Sequence, residues 1–224
     1  MEPLPVTPRT RVTRIAHRQV TDRRVLYDVL DAGLVAHVGV VRDGAPVVLP
    51  VGYARNGDAL LLHGSTGGGL LRAAAHGAPL AVTVTLLDGL VYARSLFDSS
   101  MNYRSVMVCG TAQPLTGQDE LDGLQALSEH LMPGRWAEVR QPTQRELAAT
   151  LVLRLPLTEA SVKIRAEGAT TAPDDGESRE VWAGVLPLLV QAGAPRPSAD
   201  TPDRVVPSAS VTRAARRHTG QIAP

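Results

Sequence analysis

The chain is predicted to be mainly β (α+β), an antiparallel β-barrel with peripheral helices, and three observations predict it. Apolar runs of strand length are separated by Asp43-Gly44, Asn56-Gly57-Asp58 and Asp88-Gly89. Asp-Gly or Asn-Gly between apolar runs is the strongest short-range sign of a β-hairpin. The helical patterns are few and lie at the margins of the strand-like runs, whereas a parallel α/β sheet needs helices between its strands. Apolar residues make up 44% of the 224 residues and aromatics only 3%, so one domain plus tails is built on Val, Leu and Ala.

Residues 1–19 carry Pro3, Pro5, Pro8 and several arginines without apolar periodicity, and read as a mobile arm. Thr21 is placed to cap a helix in which Val25, Leu26, Val29 and Leu30 recur at helical spacing, with Gly33 as its stop. Strands are expected at 34–41, 47–54 and 59–63, joined by the first two hairpin turns. A short helix at 70–76 closes at Gly77 and Pro79; strands follow at 80–86 and 90–96 around Asp88-Gly89, then at 103–113. Leu121, Leu124, Leu127 and Leu131 fall on one face of a further helix that Pro133-Gly134 ends, a helical turn is expected at 145–149, and strands at 151–157 and 161–165 complete the barrel. Residues 20–168 are thus the barrel domain, 169–192 a loop and C-terminal helix (from 180 to 191, weakened by Pro187), and 193–224 a Pro-rich extended tail, disordered after about Val211.

One run bears directly on chemistry. Leu62-His63-Gly64-Ser65-Thr66-Gly67-Gly68-Gly69-Leu70-Leu71-Arg72 leaves a strand, turns on glycines and enters a helix. Unpaired backbone N–H groups, two hydroxyls and Arg72 suit a bound phosphate; a flexible turn with a surface arginine is the alternative. No Gly-Lys-Ser/Thr follows the glycines and the G-x-G-x-x-G spacing is missing, so neither nucleotide hydrolysis nor a dinucleotide fold is indicated. Net charge is +1, which argues against nucleic acid as the main partner. Cys109 is the sole cysteine, excluding an internal disulfide and any thiolate zinc cluster, and it reads as a small buried hydrophobe. No secretory core or 18-residue apolar run occurs, so a cytoplasmic chain without membrane attachment is expected. Ser65 lacks a nucleophile-elbow sequence, which argues against hydrolase chemistry.

The cup, the run Val82-Thr83-Val84-Thr85-Leu86-Leu87-Asp88-Gly89-Leu90-Val91-Tyr92-Ala93-Arg94-Ser95, and Ser100-Met101-Asn102-Tyr103-Arg104-Ser105-Val106 resemble the FMN-binding split-barrel proteins. Within them the closest likeness is to the pyridoxamine 5′-phosphate oxidase-like branch that includes nitroimidazole-resistance proteins. The resemblance implies a split barrel and a homodimer with FMN in clefts between the subunits. It also implies an oxidoreductase acting on a small organic molecule. Related barrels bind F420 or haem, so an F420-dependent reductase and a non-catalytic flavin binder are the alternatives.

On this likeness residues 47–51 run along the isoalloxazine edge, His63, Ser65 and Thr66 lie at the ribityl phosphate, and Arg72 sits near the basic phosphate ligands. Asn102, Arg104 and Ser105 match a strand that meets the ring or phosphate, and Lys163 and Arg165 a strand that reaches toward the cofactor. Many relatives carry Ser-Arg or Ser-Lys where this chain has Gly68-Gly69, leaving the phosphate to backbone groups, Arg72 and a strand arginine such as Arg104. The substrate stretch of true pyridoxamine phosphate oxidases has no match here, and that activity is not expected. Read as residues alone, His63 is either a cofactor contact or a plain strand-end histidine. Arg104 requires an anion, either a cofactor or a salt bridge to Asp88 or Asp98. Lys163 and Arg165 share a strand face that either meets solvent or converges on a phosphate.

Overall fold

The structure, a computed structural model, describes residues 1–170 and 178–217; the loop expected at 171–177 and the end of the tail at 218–224 lie outside the described residues. After the short strand β1 (Gln19–Val20), helix α1 (Arg23–Ala32) is capped by Asp22, whose side chain accepts from the Arg24 N–H, rather than by Thr21. Leu26, Val29 and Leu30 form its buried face. Strands β2 (Val35–Arg42) and β3 (Ala45–Asn56) meet at Asp43-Gly44, where both residues have positive φ, 52° and 77°. That is the turn whose twist matches paired strands, so the sequence signal and the backbone agree. Gly57, at φ 56°, makes the next tight turn into β4 (Ala59–Ser65). The glycine turn then leads into the short helix α2 (Gly69–Ala75).

Strand β5 (Leu80–Tyr92) runs unbroken through Asp88-Gly89, where a hairpin was expected. The ladder to β6 (Ser100–Gly110) continues across this point with a register irregularity between Leu87 and Gly89. The chain reverses instead at 93–99, where the Ser95 hydroxyl donates to Asp98 and the Ser99 hydroxyl to the Ser95 carbonyl. Asp88 turns nothing because its carboxylate is engaged by Arg104 and its carbonyl by the Leu188 N–H. Beyond β7 (Gln113–Pro114), helix α3 (Gln118–Leu131) packs Leu127 and Leu124 against Ala54, Leu61 and Val152. Helix α4 (Gln144–Ala148) begins with a capping box between Thr143 and Glu146, and β8 (Thr150–Pro156) and β9 (Ala160–Arg165) follow.

Every strand pair is antiparallel, in the order β1-β9-β6-β5-β2-β3-β4-β8-β7. The end strands β1 and β7 are not joined, so the sheet curls without closing. Its inner face buries Leu60, Leu62, Leu153 and Leu155 completely, each worth roughly 1.5–3 kcal/mol by transfer from water. Tyr53 is equally buried and its hydroxyl donates to the Leu30 carbonyl at 2.6 Å, so burial raises its pKa without leaving the group unpaired. No described helix is long and apolar enough to cross a membrane.

Both ends of the chain depart from expectation. The arm at 1–19 is docked rather than mobile. Leu4 and Thr10 are buried, Arg9 and Thr7 bind Glu159, Arg18 binds Glu167 at 2.5 Å, and β1 pairs with β9. Its arginines face acceptors that are distant in sequence, a signal that local periodicity does not carry. In place of the helix expected at 180–191, a short strand β10 (Gly184–Pro187) pairs with the second half of β5, which β2 has left uncovered. Pro187, which has no N–H to donate, breaks a helix but is tolerated at the end of an edge strand. The described part of the tail ends in helix α5 (Ala209–Arg217), where an extended chain, disordered after about Val211, was expected. The Ser208 and Ser210 hydroxyls and the Ser210 N–H bind the Glu138 carboxylate, and Arg217 donates to the carbonyls of His130 and Asp31.

Candidate functional site

His63 lies near the end of β4, opposite Val152 of β8, so the ladder fixes where its ring emerges. Its Nδ1 is buried and has no hydrogen-bond partner among the described residues. A buried ring nitrogen without a partner is uncommon in a folded protein and calls for an occupant. The ring lines a cavity of ≈ 560 Å³ roofed by α3, α4 and the connection between them, with Leu124, Met132, Trp136, Val139 and Leu147 in its wall. Arg135 and Arg140 also line it, each held by a carboxylate: Arg135 by Glu138 at 3.2 Å and Arg140 by Glu146 at 2.6 Å. The Arg140 fork and the Thr143 cap hold the Glu146 carboxyl down at about 2. An apolar room with one orphaned imidazole and a rim of arginine–carboxylate pairs suits a large, flat, apolar group with a ligand-seeking centre.

The glycine turn beside it is braced from within. Ser65 Oγ accepts from the Gly67 N–H at 3.2 Å, the Thr66 N–H and hydroxyl both reach the Ala149 carbonyl, and Gly68 N–H donates to the Ser65 carbonyl. Ser65 and Thr66 are exposed, and Arg72 is exposed with no ion pair among the described residues.

The other expected site residues are elsewhere and largely engaged. Arg104 forms a two-pronged pair with Asp88 at 2.7 and 3.0 Å, the salt-bridge alternative raised by the sequence. Arg165 is buried at 3% side-chain exposure; it donates to Asn102 Oδ1 and to the carbonyls of Glu167 and Gly168. Asn102 returns a bond to the Glu167 carbonyl. Ser105 donates to the Lys163 carbonyl at 3.3 Å, while the half-buried Lys163 makes no ion pair among the described residues. Lys163 and Arg165, expected to share a face that meets solvent or a phosphate, are engaged differently: Lys163 is half-buried, and Arg165 is buried against Asn102 and the backbone. β6 and β4 are separated by β5, β2 and β3 in the sheet, so within one chain Arg104 is not a neighbour of the turn in the hydrogen-bonded order. Sequence reasoning missed the roof residues Arg135 and Arg140, because they lie in an irregular connection with no periodicity to mark them. Trp136, one of only two tryptophans, was the single available hint.

An open antiparallel barrel with a ligand cavity at one end and a braced glycine turn beside it defines a split-barrel cofactor protein. The chain belongs to the pyridoxamine 5′-phosphate oxidase family, whose model matches residues 22–164. A comparison with curated proteins gave no match. Among solved structures, the FAD and haem binding protein of Mycobacterium smegmatis is similar at 44% identity, covering 91% of this chain and 98% of that one, with a TM-score of 0.85. The flavocytochrome Anf3 of Azotobacter vinelandii is similar at 34% identity, 92% and 96% coverage and a TM-score of 0.86. A candidate 5-nitroimidazole antibiotic resistance protein of Bacteroides thetaiotaomicron shares the fold at 18% identity, with 65% and 86% coverage and a TM-score of 0.56.

Proposed function

We propose that this chain is a redox protein that binds a flavin and a haem. The observation that carries the reading is His63, which lines an apolar cavity of ≈ 560 Å³ and whose buried Nδ1 has no hydrogen-bond partner among the described residues. When bound, a flavin and a haem together supply one- and two-electron transfer, chemistry that protein side chains lack. The chain's own contributions are positional. His63 would offer a ring nitrogen to the iron and the leucine, methionine and tryptophan wall would exclude water, with the Arg135–Glu138 and Arg140–Glu146 pairs at the rim. The need for a partner at His63 favours this over the flavin-only reading of the sequence.

The flavin is FAD rather than FMN or F420 in this proposal, because one solved structure more than 40% identical is described as binding FAD together with haem. The flavin site lies between two copies of the chain. Two features support a second copy: the expected cofactor residues divide between β4–α2 and the β6–β9 side, and Leu96 and Phe97, 95% and 93% exposed, protrude together. The protein acts as an oxidoreductase toward a small molecule, which the apolar cavity or flavin cleft would admit.

The test is spectroscopic. Purified protein loaded with FAD and hemin is expected to show flavin bands and a Soret band at equal stoichiometry in a dimer, with the Soret band lost and the flavin kept in His63→Ala. A wild-type protein with no Soret shift on hemin addition, or a His63→Ala variant indistinguishable from it, would overturn the haem assignment.

A further inference from the structure

The glycine turn carries no basic side chain between Ser65 and Leu71, and Arg104, the strand arginine expected to serve a phosphate, is neutralised by Asp88. A different arginine occupies the position. Gly69 has open space only in the sense that it has no side chain: a Cβ built there would stand 2.5 Å from Nη1 of Arg42 and 3.7 Å from its Cζ. The guanidinium of Arg42, projecting from the last residue of β2, is thus laid into the notch that Gly69 leaves in the turn.

Arg42 is not there to satisfy the protein. Its one acidic neighbour is Asp43, 3.6 Å from Nε, beyond hydrogen-bond distance and with a side chain 91% exposed. The guanidinium gives no hydrogen bond to any described residue, although it carries five N–H donors in a planar fork suited to phosphate oxygens. Within the same turn, Ser65 Oγ accepts from Gly67 N–H, which leaves its own O–H to donate outward. A guanidinium that makes no hydrogen bond to the described residues and a hydroxyl whose proton is left to donate thus border the same turn. The register places Arg42 opposite Ala45 at the tight Asp43-Gly44 reversal, so a stiff hairpin sets its position.

We propose that Arg42 is a flavin-phosphate ligand, with Gly69 kept small so that the guanidinium can lie in the turn. This rests on the flavin reading above and adds the residue that discriminates phosphorylated flavins from riboflavin.

Binding of FAD, FMN and riboflavin to the wild type, followed by flavin fluorescence, provides the test, with the folded state of each variant checked by its melting transition. Arg42→Ala is expected to weaken FAD and FMN roughly tenfold to a hundredfold, the range for a lost charge-assisted contact, and to leave riboflavin unchanged. Gly69→Ala is expected to weaken the same two ligands by displacing Arg42, and the double variant to lose no more than Arg42→Ala alone. Arg42→Lys should restore part of the affinity. Equal FAD affinity in wild type and Arg42→Ala, equal losses for FAD and riboflavin, or additive losses in the double variant would each overturn the assignment of Arg42 alone. A wild type that binds none of the three flavins would overturn the flavin reading itself and this proposal with it.

Discussion

The end of β4 and the β6–β9 ladder carry the same kind of residue, polar or charged groups drawn into a sheet, yet they are opposites. At β4 the His63 ring nitrogen is buried without a partner, and Arg42 and Arg72 make no hydrogen-bonded ion pair among the described residues. On the β6–β9 side, Arg104 is held by Asp88, and Arg165 by Asn102 and two carbonyls. Charge and position in a strand do not separate the two cases. Satisfaction does: a buried group whose partners are all protein atoms braces the fold, whereas one with none is waiting for a ligand.

The sharpest way to break this contrast is at its two extremes. His63→Ala is expected to lower haem affinity by about a hundredfold or more, as loss of a metal ligand does, and to cost the apoprotein only the packing of a half-buried ring, since Nδ1 makes no hydrogen bond among the described residues. Hemin titration and a denaturant melt read the two effects separately. Arg165→Ala should do the reverse. It removes the buried guanidinium's bonds to Asn102 Oδ1 and to the Glu167 and Gly168 carbonyls, the first two of which keep the reciprocal Asn102–Glu167 bonds, for a loss of about 2 kcal/mol in the melt, with flavin content per folded molecule unchanged. A variant that melts normally but loses cofactor would place Arg165 with His63 and end the distinction.

A smaller effect is expected at Arg104, whose side chain is 32% exposed and whose partner Asp88 is 17% exposed. Solvent screens that pair, so Arg104→Ala should cost about 1 kcal/mol and leave riboflavin, FMN and FAD affinities equal to wild type. The gentlest test lies in the cavity roof. The Ser208 and Ser210 hydroxyls and the Ser210 N–H hold the Glu138 carboxyl down at about 2, below its ordinary 4.5. A carboxylate depressed in the folded state stabilises above the unfolded value, and that contribution is lost as pH falls through the folded one. Docking of α5 should therefore be intact above 4.5 and released progressively toward 2, seen as rising amide exchange in residues 208–217 while the barrel strands stay protected. In Glu138→Gln the same exchange should be raised at neutral pH.

The sequence by itself determined most of the barrel strands, two of the three expected hairpins and the core. Asp43-Gly44 and Gly57 dictate tight reversals through their backbone freedom, and alternating Val and Leu dictate which face is buried, both being local effects. The glycine turn after His63 was legible as a strand–turn–helix junction with two hydroxyls and Arg72, and the family resemblance added His63 to it. The tertiary structure decided everything that depends on a partner distant in the chain. Asp88-Gly89 carries the same dipeptide as Asp43-Gly44, but β6 and β10 flank it and Arg104 takes its carboxylate, so the strand continues. Residues 1–19 become ordered because Glu159 and Glu167 lie across from their arginines, and 184–187 become a strand because β5 has an uncovered edge. Arg42 and Gly69 are 27 positions apart, and only the folding of the β2–β3 hairpin against the α2 turn reveals that the missing side chain of one makes room for the other. Local patterns encode what the backbone prefers, but whether a polar group is satisfied is fixed by what the fold brings within hydrogen-bond distance of it.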